Sequence, residues 1–233
     1  KALECLALQK LAQQEGNKSF QDDAFGNVSI KDCDPWDLLD RAYKYYSSHE
    51  THLDWSYTPD IKDCTVSLKE ALTYANGRFD PRKRIVVAAE PHFDITIDKP
   101  WANYHFETPN GVVQGKLALK GTIDLICQVD DDPNHIEIIN WKTGRRLDWA
   151  TGQEKDYDKL SRDPQLMIYN YAIRRMMPQY KFITTTIFFL KDGGPFSLCF
   201  DERHQFLTES LIRDKFERIK KCERPALNVS WKC

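Results

Sequence analysis

At about residue 84 the hydrophobic pattern of this chain changes period, and that change constrains the fold more than any single residue. Residues 84–89 read R-I-V-V-A-A, apolar and β-branched. Phe93, Ile95 and Ile97 then alternate with polar residues, the two-residue repeat of a strand with one buried face. Residues 112–129 form a long run interrupted near Gly115 and Gly121, which predicts a strand, a bend and another strand. Residues 130–134 (D-D-D-P-N) predict a hairpin-type turn, and 136–141 the next strand. Before residue 84 the period is helical. Leu3, Leu6, Leu8, Leu11 and Ala12 make a stripe over residues 1–16. Asp34-Pro35 opens a second helix, and Ser67 with Glu70 predicts the cap of a third that ends near Gly77. After a polar loop over 143–161, Asp163-Pro164 opens another helix. A strand at 182–190, a Gly193-Gly194-Pro195 turn, its partner at 196–200 and a charged amphipathic helix at 203–221 complete the order. That order predicts an α+β fold, a mixed sheet flanked by helices. We expect one domain over 1–233, with a helical N-terminal lobe at 1–80 and a core at 81–233.

Composition narrows the class. With 233 residues, 41% hydrophobic and 29% charged, the chain can bury a core without staples and is not a disordered tail. No apolar stretch approaches the ~18 residues of a membrane-spanning helix. A net charge of -2 excludes a histone-like polycation but leaves room for a local basic surface. The seven cysteines are odd in number and form no C-x-x-C pair. With no signal-peptide pattern, they read as reduced thiols of an intracellular protein, cytoplasmic if the source is prokaryotic.

Phosphate-loop, dinucleotide-binding, H-E-x-x-H and G-x-S-x-G motifs are absent. What remains is a constellation in the β-rich half. Asp124 sits in G-T-I-D-L-I, and a carboxylate in so apolar a setting must be paired or must hold a metal. Sixteen residues on, Asn140 and Lys142 share one side of a strand end. A hairpin across 130–134 brings Asp124 towards them.

These pieces resemble the PD-(D/E)XK nuclease superfamily, and within it the RecB-like branch. The resembling stretch runs from about Glu90 to Tyr169. A Glu before a strand is matched by Glu90, a G-x-x-D strand by Gly121 to Asp124, and a D-Y-K-T-G strand end by N-W-K-T-G at 140–144. A helix carrying Q-x-x-x-Y is matched by Gln165 and Tyr169. The resemblance implies a restriction-endonuclease-like sheet and hydrolysis of phosphodiester bonds in DNA, as an exonuclease acting on single strands or duplex ends. It implies that Asp124 and a carboxylate at 140 hold Mg2+ or Mn2+, with the Trp141 carbonyl and Glu90 completing the set. Lys142 would act on the attacking water and on transition-state charge. Gln165 and Tyr169 would brace Lys142 or, with Arg145 and Arg146, contact the DNA backbone.

The departure is Asn140, where the family has Asp or Glu. It reads either as a substitution introduced to stop cleavage or as a natural pseudo-nuclease that binds DNA without cutting. A third reading is an unrelated α+β protein with an Asp124–Lys142 ion pair. Some members of the branch hold a [4Fe-4S] cluster, whose ligands would include Cys5 and Cys233. His49 and His52 are candidates for the histidine that the branch often carries. Arg82-Lys83-Arg84, Arg174-Arg175, Trp149 and Tyr157 are further candidates for DNA contacts.

Overall fold

The computed structural model describes residues 1–49, 60–148, 152–192 and 194–222. Apart from α1, whose N-cap Lys1 offers none, its described helices begin where the sequence supplies an oxygen acceptor. After α1 (Ala2–Gln14), a hairpin of β1 (Ser19–Asp22) and β2 (Gly26–Ser29) turns on the Asp22 carboxylate, which accepts from the Ala24 and Phe25 N–H groups at 2.9 Å each. This hairpin interrupts the otherwise helical lobe and was not expected from the sequence. It is too short for a periodic signal, and its turn chemistry was the only clue. In α2 (Pro35–His49), Asp34 accepts from the Trp36 and Asp37 N–H groups at 3.0 and 3.1 Å. The cap of α3 (Ile61–Gly77) is Asp60, not Ser67. Asp60 takes the Asp63 N–H at 2.8 Å, whereas the Ser67 hydroxyl donates one turn back to the Asp63 carbonyl at 3.0 Å.

Residues 86–142 form seven strands: β3 (Val86–Ala89), β4 (His92–Thr96), β5 (Asn103–Thr108), β6 (Gly111–Lys116), β7 (Ala118–Thr122), β8 (Leu125–Val129) and β9 (Asp132–Lys142). The run expected to hold two strands holds three. It breaks at Leu117, whose N–H and carbonyl bond to Ala102 and Ile97, and again at Ile123-Asp124. The chain continues through α4 (Tyr157–Ser161), which replaces the end of the expected loop, and α5 (Pro164–Met176), capped by Asp163. β10 (Phe182–Phe189), β11 (Gly194–Cys199) and α6 (Glu202–Lys220) follow.

The main sheet has the order β11-β10-β9-β8-β3. β9 and β10 run parallel, and the other neighbours are antiparallel. β4 pairs with β7 and β5 with β6, so residues 92–122 form a ribbon leaving that sheet. Period-two alternation puts the two sides of β9 into different layers. Ile136 and Ile138 pack with Tyr171, Ala172 and Ile173 of α5 and Ile212 of α6. Ile139 packs with Ala7 of α1, Ala71 of α3 and Phe188. Each such aliphatic side chain contributes about 1.5–3 kcal/mol on burial. The outer edge of β3 is closed by the Gln14 amide, which donates to the Val86 carbonyl at 2.7 Å and accepts its N–H at 2.9 Å. No helix among the described residues is long and apolar enough to cross a membrane.

One buried charge sets a stability test. Glu137 is fully buried, accepts from Thr186 Oγ1 at 2.6 Å and pairs with Arg84 at 2.9 Å and with the more distant Arg78 at 3.6 Å. Arg84→Met should cost about 3–5 kcal/mol, because it strips a buried carboxylate of its close partner. The double change with Glu137→Met should recover most of that loss. Urea unfolding measures both, and a single-variant cost below about 1 kcal/mol would mean that Glu137 does not depend on Arg84.

Candidate active site

Two acidic residues occupy the corner where the main sheet hands over to the ribbon. The chain leaves β3 for β4 through Glu90-Pro91 and returns from β7 to β8 through Ile123-Asp124. Two backbone bonds stitch these crossings together: Glu90 N–H to the Asp124 carbonyl and Ile123 N–H to the Pro91 carbonyl, both 3.1 Å. Asp124 is therefore at a bend between strands, not inside one as its apolar neighbours suggested. Glu90 has φ +48°, a left-handed conformation that a non-glycine residue adopts at a cost and that persists here within the stitched corner.

The glycine of the G-x-x-D run has a packing reason. Gly121 faces Phe93 across the β4–β7 ladder, and a Cβ there would meet the Phe93 ring at 2.5 Å. The ring crosses that space and meets Tyr169 of α5 edge-on at 6.1 Å between centroids.

The end of β9 supplies the other half. Asp124 Oδ2 accepts the Trp141 N–H at 2.8 Å, which pins the carboxylate against the strand. Asn140, 2% exposed, lies between Asp124, Lys142 and α5. In the orientation that satisfies both Asp124 and Lys142, the amide nitrogen donates to Asp124 Oδ2 at 2.9 Å and the amide oxygen accepts from Lys142 Nζ at 3.2 Å. In the opposite orientation the nitrogen reaches Gln165 Oε1 at 3.3 Å, but then two acceptors face each other at Asp124 and two donors at Lys142. Gln165 Nε2 donates to the Tyr169 hydroxyl at 2.8 Å, so the α5 face seen in the sequence abuts the site.

Burial pushes the Glu90 carboxyl up to about 7, with Glu4 and Asp124 adding repulsion. Burial also raises Asp124, opposed by the Trp141 N–H and the Lys142 charge. Glu4, in the first turn of α1, thus acts on both carboxylates while it pairs with Lys1 at 2.8 Å. No sequence signal marked it, because an acidic residue in a first helical turn is ordinary. A carboxyl raised in the folded state holds a proton that the unfolded chain releases. Its stabilising contribution is present below the usual carboxylate range and is lost as pH rises towards about 7. In metal-free protein, stability should therefore fall between about pH 4.5 and 7, and Glu90→Gln should flatten that slope. Denaturant titrations across this window check it; an unchanged slope would place Glu90 in an ordinary solvated setting.

The donor set fits a hard divalent cation. Ligand oxygens about 2.0–2.1 Å from an octahedral Mg2+ lie ~2.9 Å apart, and the side-chain end of residue 140 is 2.9 Å from Asp124 Oδ2. Asp124, the oxygen of residue 140, the Trp141 carbonyl and Glu90 are the groups that would hold the ion. An amide at 140 supplies one neutral oxygen, and only by giving up its bond to Lys142.

The other residues singled out in the sequence lie elsewhere or are engaged. Arg145 is exposed. Arg146 donates to the Lys155 carbonyl at 2.5 Å and to Glu154 at 2.6 Å, and stacks on Phe196. Arg84 serves Glu137, Arg82 pairs with Asp80, Arg174 donates to the Phe200 carbonyl, and Arg175 lies over Tyr171. Tyr157 donates to the Ser197 carbonyl on the edge of β11. Cys5 is fully buried with its thiol 3.4 Å from Asp22, and burial pushes that thiol up, away from the thiolate form a cluster needs. His49 stacks on Tyr45 at the end of α2. His52, Trp149 and Cys233 lie outside the described residues.

A sequence model of the PD-(D/E)XK nuclease superfamily matches residues 43–228. The chain belongs to that superfamily. The match spans Glu90, Asp124, residues 140–144 and α5, and leaves α1 outside it. The mixed sheet flanked by helices is the restriction-endonuclease-like fold of PD-(D/E)XK nucleases. Among solved structures, one of a presumed exonuclease from Eubacterium rectale superposes with a TM-score of 0.44 at 10% identity, covering 85% of this chain and 70% of that one. No curated protein matches the chain. PD-(D/E)XK nucleases generally use divalent metal ions on nucleic acid, which accords with the oxygen-rich corner.

Proposed function

We propose that this PD-(D/E)XK chain is the scaffold of an Mg2+- or Mn2+-dependent deoxyribonuclease of the exonuclease type, acting on single strands or duplex ends, whose cleavage is switched off at Asn140. The observation that carries this reading is the position of the Asn140 amide, 2.9 Å from Asp124 Oδ2 and 3.2 Å from Lys142 Nζ. A carboxylate in the same place would set two anionic oxygens side by side against one ammonium, an arrangement that calls for a cation. A bound divalent ion supplies charge stabilisation at the phosphate and a more acidic water. The chain's own groups do the rest. Asp124, fixed by the Trp141 N–H, presents its carboxylate in one direction. Lys142 orients the attacking water and offsets charge on the phosphate. Gln165 and Tyr169 brace the strand end, and the exposed Arg145 meets the DNA backbone.

A second reading has its own observation. The Asn140 amide satisfies Asp124 and Lys142 together without any ion, so the chain as it stands would suit a non-catalytic DNA-binding module. Assays with Mg2+ and Mn2+ on labelled single-stranded DNA, duplex DNA and RNA separate the two. Binding without cleavage by this chain, with cleavage on Asn140→Asp, supports the first reading. Binding without cleavage by both supports the second, and binding by neither removes both.

A further inference from the structure

We propose that an apolar cavity beside the carboxyl edge of the main sheet is a subsite for one nucleobase of the substrate strand; this rests on the nuclease reading above. The cavity, about 190 Å³, opens between the helical lobe and the sheet. Leu3, Leu39, Leu68 and Leu190 wall it, Cys64 and Ser67 line its α3 side, and Thr143 and Lys191 form its sheet side. It adjoins the candidate site through the backbone: Thr143 follows Lys142, and the Leu190 N–H donates to the Lys142 carbonyl at 2.9 Å. Asn140 and Lys142 share the side of β9 that faces α5, whereas the cavity lies on the α1–α3 side. A strand with its phosphate at Asp124 and Lys142 would cross the sheet edge at Thr143 and place a neighbouring base in the cavity.

Charge sets the direction of entry. At one end the Lys1 ammonium is already surrounded by Glu4, Asp22 and Asp23, so that end repels a phosphate. At the other end Lys191, paired only at 3.3 Å with the exposed Asp63 carboxylate, can turn to one. The base therefore enters with its sugar-phosphate towards Lys191. Aliphatic walls contact the flat faces of any base. The Ser67 hydroxyl is spent on the Asp63 carbonyl at 3.0 Å, which leaves Thr143 and Lys191 at the rim as the polar side chains that can meet a base edge, so selectivity among bases should be weak.

The test uses this chain, a short oligothymidylate and a series in which one thymine at a time is replaced by an abasic residue. One position should lose at least about 5-fold in affinity, as expected for withdrawing a base from a leucine-walled cavity, and its neighbours much less. Cys64→Phe, which fills the cavity with a ring, should weaken the parent oligonucleotide by a similar factor and abolish the position effect. A second measurement does not depend on that variant. At alkaline pH, chosen because burial raises the Cys64 thiol, an oligonucleotide with a disulfide-tethered base should exchange with the Cys64 thiolate, releasing the small thiol, at that same position. Peptide mapping then finds the adduct on Cys64 and not on the exposed Cys199 or Cys222. A flat abasic series with intact binding, or capture indifferent to position, overturns the subsite and leaves the nuclease reading standing. Failure to bind any oligonucleotide overturns both.

Discussion

Asn140→Asp is expected to create cleavage, by at least ~10^3-fold over this chain in Mg2+ or Mn2+. The gain follows from supplying charge at the one position of the proposed site that lacks it; metal-ion stabilisation of a phosphoryl transition state is worth several kcal/mol, and each ~1.4 kcal/mol is tenfold in rate. The same change should be visible without substrate. Its new carboxylate oxygen stands where the amide nitrogen now lies 2.9 Å from Asp124 Oδ2, so a hydrogen bond becomes a repulsion. Metal-free Asn140→Asp should therefore melt below this chain, and the divalent ion should restore it, by about 2.7 kcal/mol at a hundredfold excess over Kd. This chain should respond far less to the same ion. A folded, metal-loaded variant that cuts no nucleic acid would end the nuclease reading, and melting indifferent to metal would end the assignment of Asp124 and residue 140 as ligands.

In that active background, Lys142→Ala should abolish turnover while changing DNA affinity little, since one contact is a small part of a many-contact electrostatic footprint. Arg145→Ala should do the reverse. It removes one exposed cation, so binding weakens and the slope of log K against log salt on duplex DNA flattens by up to ~0.9, with single-turnover cleavage at saturating DNA little altered. Arg146→Ala belongs to neither class. Its guanidinium holds the Glu154 carboxylate and the Lys155 carbonyl, so it should lower stability through the loop. Salt-titrated binding, single-turnover cleavage and thermal melts on the same proteins separate the three. A Lys142→Ala protein that turns over near the parental rate would make Lys142 a solvated strand end.

What the sequence disclosed follows from how local its signals are. Asp34, Asp163 and Pro164 marked helix starts correctly because capping acts within three residues. The order of strand and helix periods was enough for the fold class, and the family model then bore out the resemblance to the PD-(D/E)XK superfamily. Ser67 misled because a better acceptor, Asp60, lay upstream of the apolar stripe. β5 was missed because Phe106, 40% exposed, and its neighbours on both strands lack a buried face to give them an alternating pattern. Residue chemistry alone could not tell a cation free for DNA from one already bound. Arg84 and Arg146 read like Arg145 in the sequence, yet their partners Glu137 and Glu154 became visible only with the chain folded. Glu4 was out of reach for the same reason, its influence on Glu90 crossing 86 residues of chain.

The corner built by Glu90-Pro91 and Ile123-Asp124 sets the site apart from the β5–β6 tip, while Phe93 at the base of the ribbon still packs on Tyr169. Residues 92–122 leave and return through two backbone bonds a few ångströms apart, so changes at the β5–β6 tip never pass through the chain that carries Asp124. This makes the exposed β5–β6 tip a replaceable attachment. Lengthening it, trimming it at Asn110-Gly111 or grafting another hairpin onto it would alter what the protein touches without resetting its carboxylates, which gives one scaffold a way to acquire new substrates.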